Sequence, residues 1–173
     1  MSTDGLPPYV RNGSIGVLPP GRWTVSRAEF IQAFAPRGTS RMREAILKDF
    51  DTFARLQRQS GLVVSSYWVN GSFVTTKANP NDIDVVAIVD ASQTGSPDSR
   101  AHALLNPGGR WKREPHPEVG RVMLVHAFGV VVPRLGASKA AWAEYSSNLE
   151  SWDEWFSHFE ERQNGKGYVE VRW

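Results

Sequence analysis

The apolar positions of this chain fall into blocks whose spacing switches between helical and strand-like periods. Ser26-Arg27-Ala28-Glu29 has the pattern of a capping box and is followed by Phe30, Ile31 and Phe34, which predicts a short helix stopped by Pro36 and Gly38. Met42, Ile46, Phe50 and Phe53 then share one stripe of a longer helix over residues 40–60, closed by Gly61. Residues 62–69, rich in Val, Tyr and Trp, read as a strand, and Val85-Val86-Ala87-Ile88-Val89 as a buried one. A turn-rich segment over 91–98 leads to a short helix through His102 and Leu105, broken by Asn106-Pro107-Gly108-Gly109. The unbroken apolar run Val122-Met123-Leu124-Val125 within 119–132 predicts a central strand covered on both faces, closed by Pro133.

Ser138 is placed to cap a long helix that reaches about residue 163, where Asn164-Gly165 supplies a stop. Along it Trp142, Tyr145, Leu149, Trp152, Phe156 and Phe159 alternate spacings of three and four, so all six lie on one side as a core stripe, with Trp155 off it and exposed. Residues 168–173 alternate like a half-exposed edge strand or extended arm. Pro7-Pro8, Leu18-Pro19-Pro20-Gly21 and further glycines make residues 1–25 an extended arm lying over a single domain of residues 26–173. The expected fold is α+β: a mixed sheet of four to five strands flanked by helices.

Composition narrows the chemistry. The 173 residues contain no cysteine, which excludes disulfides, thiolate-bound zinc and iron–sulfur centres. No stretch has the length of a membrane span or the form of a secretory leader, so a soluble, cytoplasmic protein with no membrane partner is expected. A net charge of +2, without long single-sign blocks, does not by itself argue for nucleic-acid binding. The densest basic cluster, Arg110-Trp111-Lys112-Arg113, reads foremost as a solvated loop between elements, with phosphate contact or base stacking as the alternative.

The most informative stretch is Asn70-Gly71-Ser72 followed, after nine residues from Ser72, by Asp82-Ile83-Asp84. Gly71-Ser72 breaks a strand where backbone amides and a hydroxyl can meet a phosphate. The strand period of two sends Asp82 and Asp84 to one face and Ile83 to the other, so two hard oxygen ligands suited to Mg²⁺ sit side by side. Lys77, in the intervening loop, is either a phosphate counter-charge or solvated.

This Gly-Ser, nine residues, Asp-Ile-Asp arrangement resembles the signature of the polymerase-beta-type nucleotidyltransferase superfamily, in particular its minimal bacterial members. Leu18-Pro19-Pro20-Gly21, Gly71-Ser72-Phe73-Val74-Thr75 with Lys77 and Pro80, and Lys166-Gly167 are similar to a small bacterial or phage family within it. The resemblance implies that Asp82 and Asp84 hold Mg²⁺ or Mn²⁺ and that Gly71, Ser72 and Lys77 meet the phosphates of an NTP. An NMP would then pass to a hydroxyl of RNA, a protein or a small molecule. It further implies a toxin–antitoxin or phage-defence setting with a cognate toxin or antitoxin partner.

One part of that pattern is missing. Active members carry a third carboxylate on a later strand, whereas Val122-Met123-Leu124-Val125-His126-Ala127-Phe128 has none, and His126 stands where it is expected. His126 is therefore a candidate catalytic residue, as a ligand for Mn²⁺ or as a base, or else a structural histidine. Glu114, Glu118 and Glu144 are acids that could reach the site from elsewhere, while His102, His116 and His158 read as structural. The incomplete metal set leaves two functions open: a nucleotidyltransferase, or a protein of that fold that binds nucleotide or a partner without turnover.

Overall fold

The computed structural model describes residues 5–36, 38–94, 99–157 and 165–173. Among the described residues seven strands and five helices follow in chain order: β1 (Val10–Asn12), β2 (Ile15–Val17), β3 (Arg22–Ser26), α1 (Arg27–Phe34), α2 (Arg41–Gln59), β4 (Val64–Asn70), β5 (Ile83–Asp90), α3 (Ser99–Leu105), α4 (Arg110–Arg113), β6 (Val125–Val132), α5 (Lys139–Ser157) and β7 (Tyr168–Arg172). A 3₁₀ turn, Ser72–Val74, separates β4 from β5. The result is α+β, with a mixed five-stranded sheet ordered β3-β7-β4-β5-β6 and a separate β1–β2 hairpin. The outer pairs β3–β7 and β5–β6 are parallel, and β4 runs antiparallel to both β7 and β5.

The helices begin where local chemistry dictates. Ser26 Oγ accepts from the Glu29 amide while Glu29 accepts from the Ser26 amide, so both halves of the capping box form at α1. Ser40 caps α2 by accepting from the Arg43 amide, and Gly61 follows the helix with φ +84°. Ile46, Phe50 and Phe53 are buried as the stripe requires, but Met42 is 39% exposed. At that end of α2 the buried side chain is Arg43, whose guanidinium takes the inward position.

Two layers of side chains sandwich the sheet. On one face Phe30, Phe34, Ile46, Phe50 and Phe53 from α1 and α2 pack with Tyr67, Val85 and Val169; on the other α5 lays Phe156, Trp152 and Leu149 over Trp68, Val86 and Tyr168. The stripe on α5 is graded, from Trp142, 38% exposed, to Phe156, fully buried, and Trp155 is half exposed as expected. Ser138 Oγ accepts from the Ala141 amide at the start of α5. Phe159, His158 and the expected end of this helix lie outside the described residues.

Three expectations about the strands are corrected. The arm assigned to residues 1–25 includes β3, an edge strand of the main sheet, because Leu18 and Val25 have a core to bury against. The final strand is interior, between β3 and β4; its alternation reflects Glu170, a buried carboxylate held by Thr24 at 3.3 Å, Arg22 at 3.5 Å and Arg172 at 3.2 Å. The strand within 119–132 starts only at Val125 and lies at the sheet edge. Residues 121–124 have other partners: Arg121 O accepts from the His116 amide, the Met123 amide donates to Trp111 O, and the Leu124 amide donates to buried Asp49. Within β6 itself Val125 and Ala127 pack with Ala101, Leu104 and Trp111 from α3 and α4 while Val130 packs with α5, so the strand is covered on both faces although it is not central, and Val122, ahead of it, is exposed.

Candidate functional site

The site residues gather at one end of the sheet, on the face that α5 covers. Asn70 on β4, Asp84 on β5 and His126 on β6 are direct neighbours in register across three adjacent strands. Asp82 and Asp84 are both half-buried and Ile83 is fully buried between them, as the period of two demands. The His126 Nδ1 lies 3.0 Å from Asp84 Oδ1. With Asp84 ionised, Nδ1–H is the donor in that contact, which leaves Nε2 to face the Gly109 side of the site.

Gly71 is required by contact as well as by conformation. Its φ is +80°, and a Cβ built there would collide with Asp84 Oδ2. The glycine lets the turn after β4 close directly over the second carboxylate.

The turn itself is held from below. Arg43, buried at the start of α2, donates to four backbone carbonyls: Phe34 at 2.7 Å, Phe73 at 2.8 Å, Thr75 at 2.6 Å and Lys77 at 2.7 Å. A planar guanidinium can serve that many acceptors at once, which a lysine cannot. The hairpin holds the same loop from outside, through Thr76 N to Gly16 O at 3.0 Å and Gly16 N to Thr76 Oγ1 at 2.6 Å. Lys77 contributes its backbone to this arrangement, its carbonyl accepting from Arg43 and its amide donating to Thr75 Oγ1.

Two lysines not foreseen as site residues complete the cluster. Lys112 forms an ion pair with Asp82 Oδ2. The basic cluster is thus not a solvated loop: it is the short helix α4, which Trp111 anchors in the core while Lys112 reaches the carboxylates. Lys166 is 6% exposed, and its ammonium lies 3.4 Å from Gly71 O. It is brought there because Gly167 N donates to Leu18 O and Tyr168 N to Gly21 O, so that the Leu18-Pro19-Pro20-Gly21 and Lys166-Gly167 segments meet. A basic quartet and a Lys-Gly pair were visible in the sequence, but only the packing of α4 and β7 turns them inward.

Burial raises the Asp84 carboxyl above its ordinary value, helped by the neighbouring charge of Asp82 and opposed by His126 and Lys112. Burial also lowers the Lys166 ammonium to about 8, against the pull of Asp84. Asn70 donates through Nδ2 to Phe156 O at 2.9 Å, and its buried Oδ1 has no partner among the described residues.

These groups fit a hard divalent cation in a limited way. Among the described residues no three His, Asp or Glu side chains form a ready-made metal site. Asp84 at the start of β5 and Asp82 just ahead of it, one disfavoured as an anion and the other already on an ammonium, supply two carboxylates, fewer oxygens than such a cation takes. Glu114 pairs with Arg110 at 3.0 Å, and Glu144 lies on α5 by the 133–137 turn, so neither completes the set. His116 is buried, against Trp111 with its Nδ1 at the Glu118 amide, and His102 is exposed.

Over residues 10–172 the chain matches the family described as "Family of unknown function (DUF6932)", and it belongs to that family. No curated protein and no solved structure matches it. No described helix is long and apolar enough to cross a membrane.

Proposed function

We propose that this chain is a metal-dependent nucleotidyltransferase of the polymerase-beta type, in which a hydroxyl attacks the α-phosphate of an NTP, the α–β anhydride breaks, and the NMP passes to the hydroxyl as pyrophosphate leaves. The observation that carries the reading is the convergence of Gly71, Asp82, Asp84 and His126 at one sheet end, with Lys112 and Lys166 beside them. In-line attack on an α-phosphate asks mainly for positioning and for cations around the phosphate oxygens. A Mg²⁺ or Mn²⁺ ion held by Asp82 and Asp84 would supply charge neutralisation on those oxygens. Lys166, packed on the Gly71 carbonyl, and Lys112, exchanging Asp82 for a phosphate oxygen, place positive charge on the same group. His126, oriented by Asp84, has an imidazole nitrogen with which to take the proton of the attacking hydroxyl.

A second reading has its own support. The Lys112–Asp82 pair and the absence of a third acid on β6 are what a protein that binds nucleotide without turnover would show. A toxin–antitoxin or phage-defence role, with a cognate partner, stays attached to either reading as part of the proposal.

The deciding experiment is transfer of labelled NTP to total RNA and protein, with Mg²⁺ and with Mn²⁺. The enzyme reading expects transfer by the wild type with Mn²⁺, its loss in Asp82→Asn/Asp84→Asn, a drop in His126→Ala, and a gain with Mg²⁺ in His126→Asp. Absence of transfer from every form, with nucleotide binding intact, decides for the non-catalytic reading.

A further inference from the structure

An aromatic ladder leads away from the polar cluster toward solvent. The His126 ring lies 4.9 Å from Phe128, which shares its face of β6; Phe128 lies 4.7 Å from Trp152 and 6.3 Å from Trp155; and the two tryptophans are 5.0 Å apart. Its inner members are half-buried, but Trp155 is 50% exposed. The ladder is fixed relative to the carboxylates, because Asn70, the register partner of Asp84, holds the carbonyl of Phe156 on the last described turn of α5.

Positive charge borders the same ring system. At Gly109 a built Cβ would lie 3.7 Å from both the Arg113 guanidinium and the His126 ring, so the two side chains flank a residue that has none. Folding explains Trp152 and Phe156, which cover the sheet, yet it does not require a half-exposed indole beside them. A half-exposed indole, braced by tilted and edge-on rings that lead back to a cluster of cations, matches a ligand that is aromatic at one end and polyanionic at the other.

We propose that Trp155, backed by Trp152 and Phe128, is the stacking platform for the base of a nucleoside triphosphate whose phosphates lie at Lys112 and Lys166. This rests on the nucleotide reading of the Asp82/Asp84 site. Stacking is tolerant of base identity, since every base offers a π face, so purine triphosphates are held more tightly than pyrimidine ones only through their larger area.

The test is calorimetric titration with Mn²⁺ and either ATP, CTP or inorganic tripolyphosphate, on the wild type, Trp155→Ala and Trp155→Phe. The expected result is ATP bound about tenfold or more tightly than tripolyphosphate, an advantage lost in Trp155→Ala and largely kept in Trp155→Phe. Tripolyphosphate binding should be unchanged in both variants. Equal affinity of the wild type for ATP and tripolyphosphate, or equal weakening of both by Trp155→Ala, overturns the platform while leaving the phosphate site standing. Failure of every triphosphate to bind overturns both. An oligonucleotide without a triphosphate that binds the wild type more tightly than ATP and loses its affinity in Trp155→Ala would reassign the platform to nucleic acid.

Discussion

At the scale of single residues, the site depends on charges held out of water. Lys166 is the clearest case, because burial lowers its ammonium from the ordinary 10.5 to about 8. The folded protein therefore sheds this proton near pH 8, while the unfolded chain keeps it to about 10.5. Between those values this lysine binds more protons in the unfolded state, so its own contribution to stability rises with pH across that window and is constant on either side of it. The total rise is on the order of 3 kcal/mol, and it should be absent from Lys166→Met. Urea unfolding of both proteins from pH 7 to 10.5 checks this, and parallel profiles would mean that the ammonium is not paying for its burial. Asp82, Asp84 and Gly71 were legible in the sequence because a period of two and a glycine break are local signals. Lys112, Lys166 and Arg43 were not, since a lysine or arginine in text looks solvated until packing by distant segments encloses it.

At the scale of elements, α2 and α5 do different work. α2 delivers Arg43 under the turn that carries Gly71 and Ser72, and replacing that guanidinium leaves three buried carbonyls and the partly buried one of Lys77 to find other partners. Arg43→Met is expected to cost about 3–5 kcal/mol and to speed hydrogen exchange at Thr75 and Thr76; Arg43→Lys should recover little of it. Exchange unchanged at those amides would show that the turn holds itself. α5 instead covers the sheet, so Phe156→Ala should cost about 3–5 kcal/mol in chemical denaturation. If that variant stays as stable as the wild type and only changes its association state, the stripe is an interface. The helices were legible because their caps and stripes are local, down to the reciprocal bonds of Ser26 and Glu29. The order of the strands was not. β7 is interior only because β3, from the other end of the chain, pairs along it, and no periodicity within residues 168–173 records that.

At the scale of the whole molecule, the site exists only when distant segments are assembled. Gly71 belongs to the turn that leaves β4, Asp84 to β5, His126 to an edge strand, Lys112 to a helix beside that edge, and Lys166 to the approach into β7. None of these segments presents the cluster alone, so a ligand that bridges them binds the folded state and not the unfolded chain. Such a ligand at about 100 times its dissociation constant adds about 2.7 kcal/mol. For a chain of this size, that amounts to a rise of about 5–10 °C in Tm. Thermal unfolding with ATP and Mn²⁺ should show this shift. Ser72→Ala should shrink it, and Asp82→Asn/Asp84→Asn should remove the part that depends on metal. The control that matters is EDTA. If the wild type gains the same shift from ATP in EDTA as in Mn²⁺, the carboxylates are not holding a cation against the phosphates, and the lysines alone account for the binding.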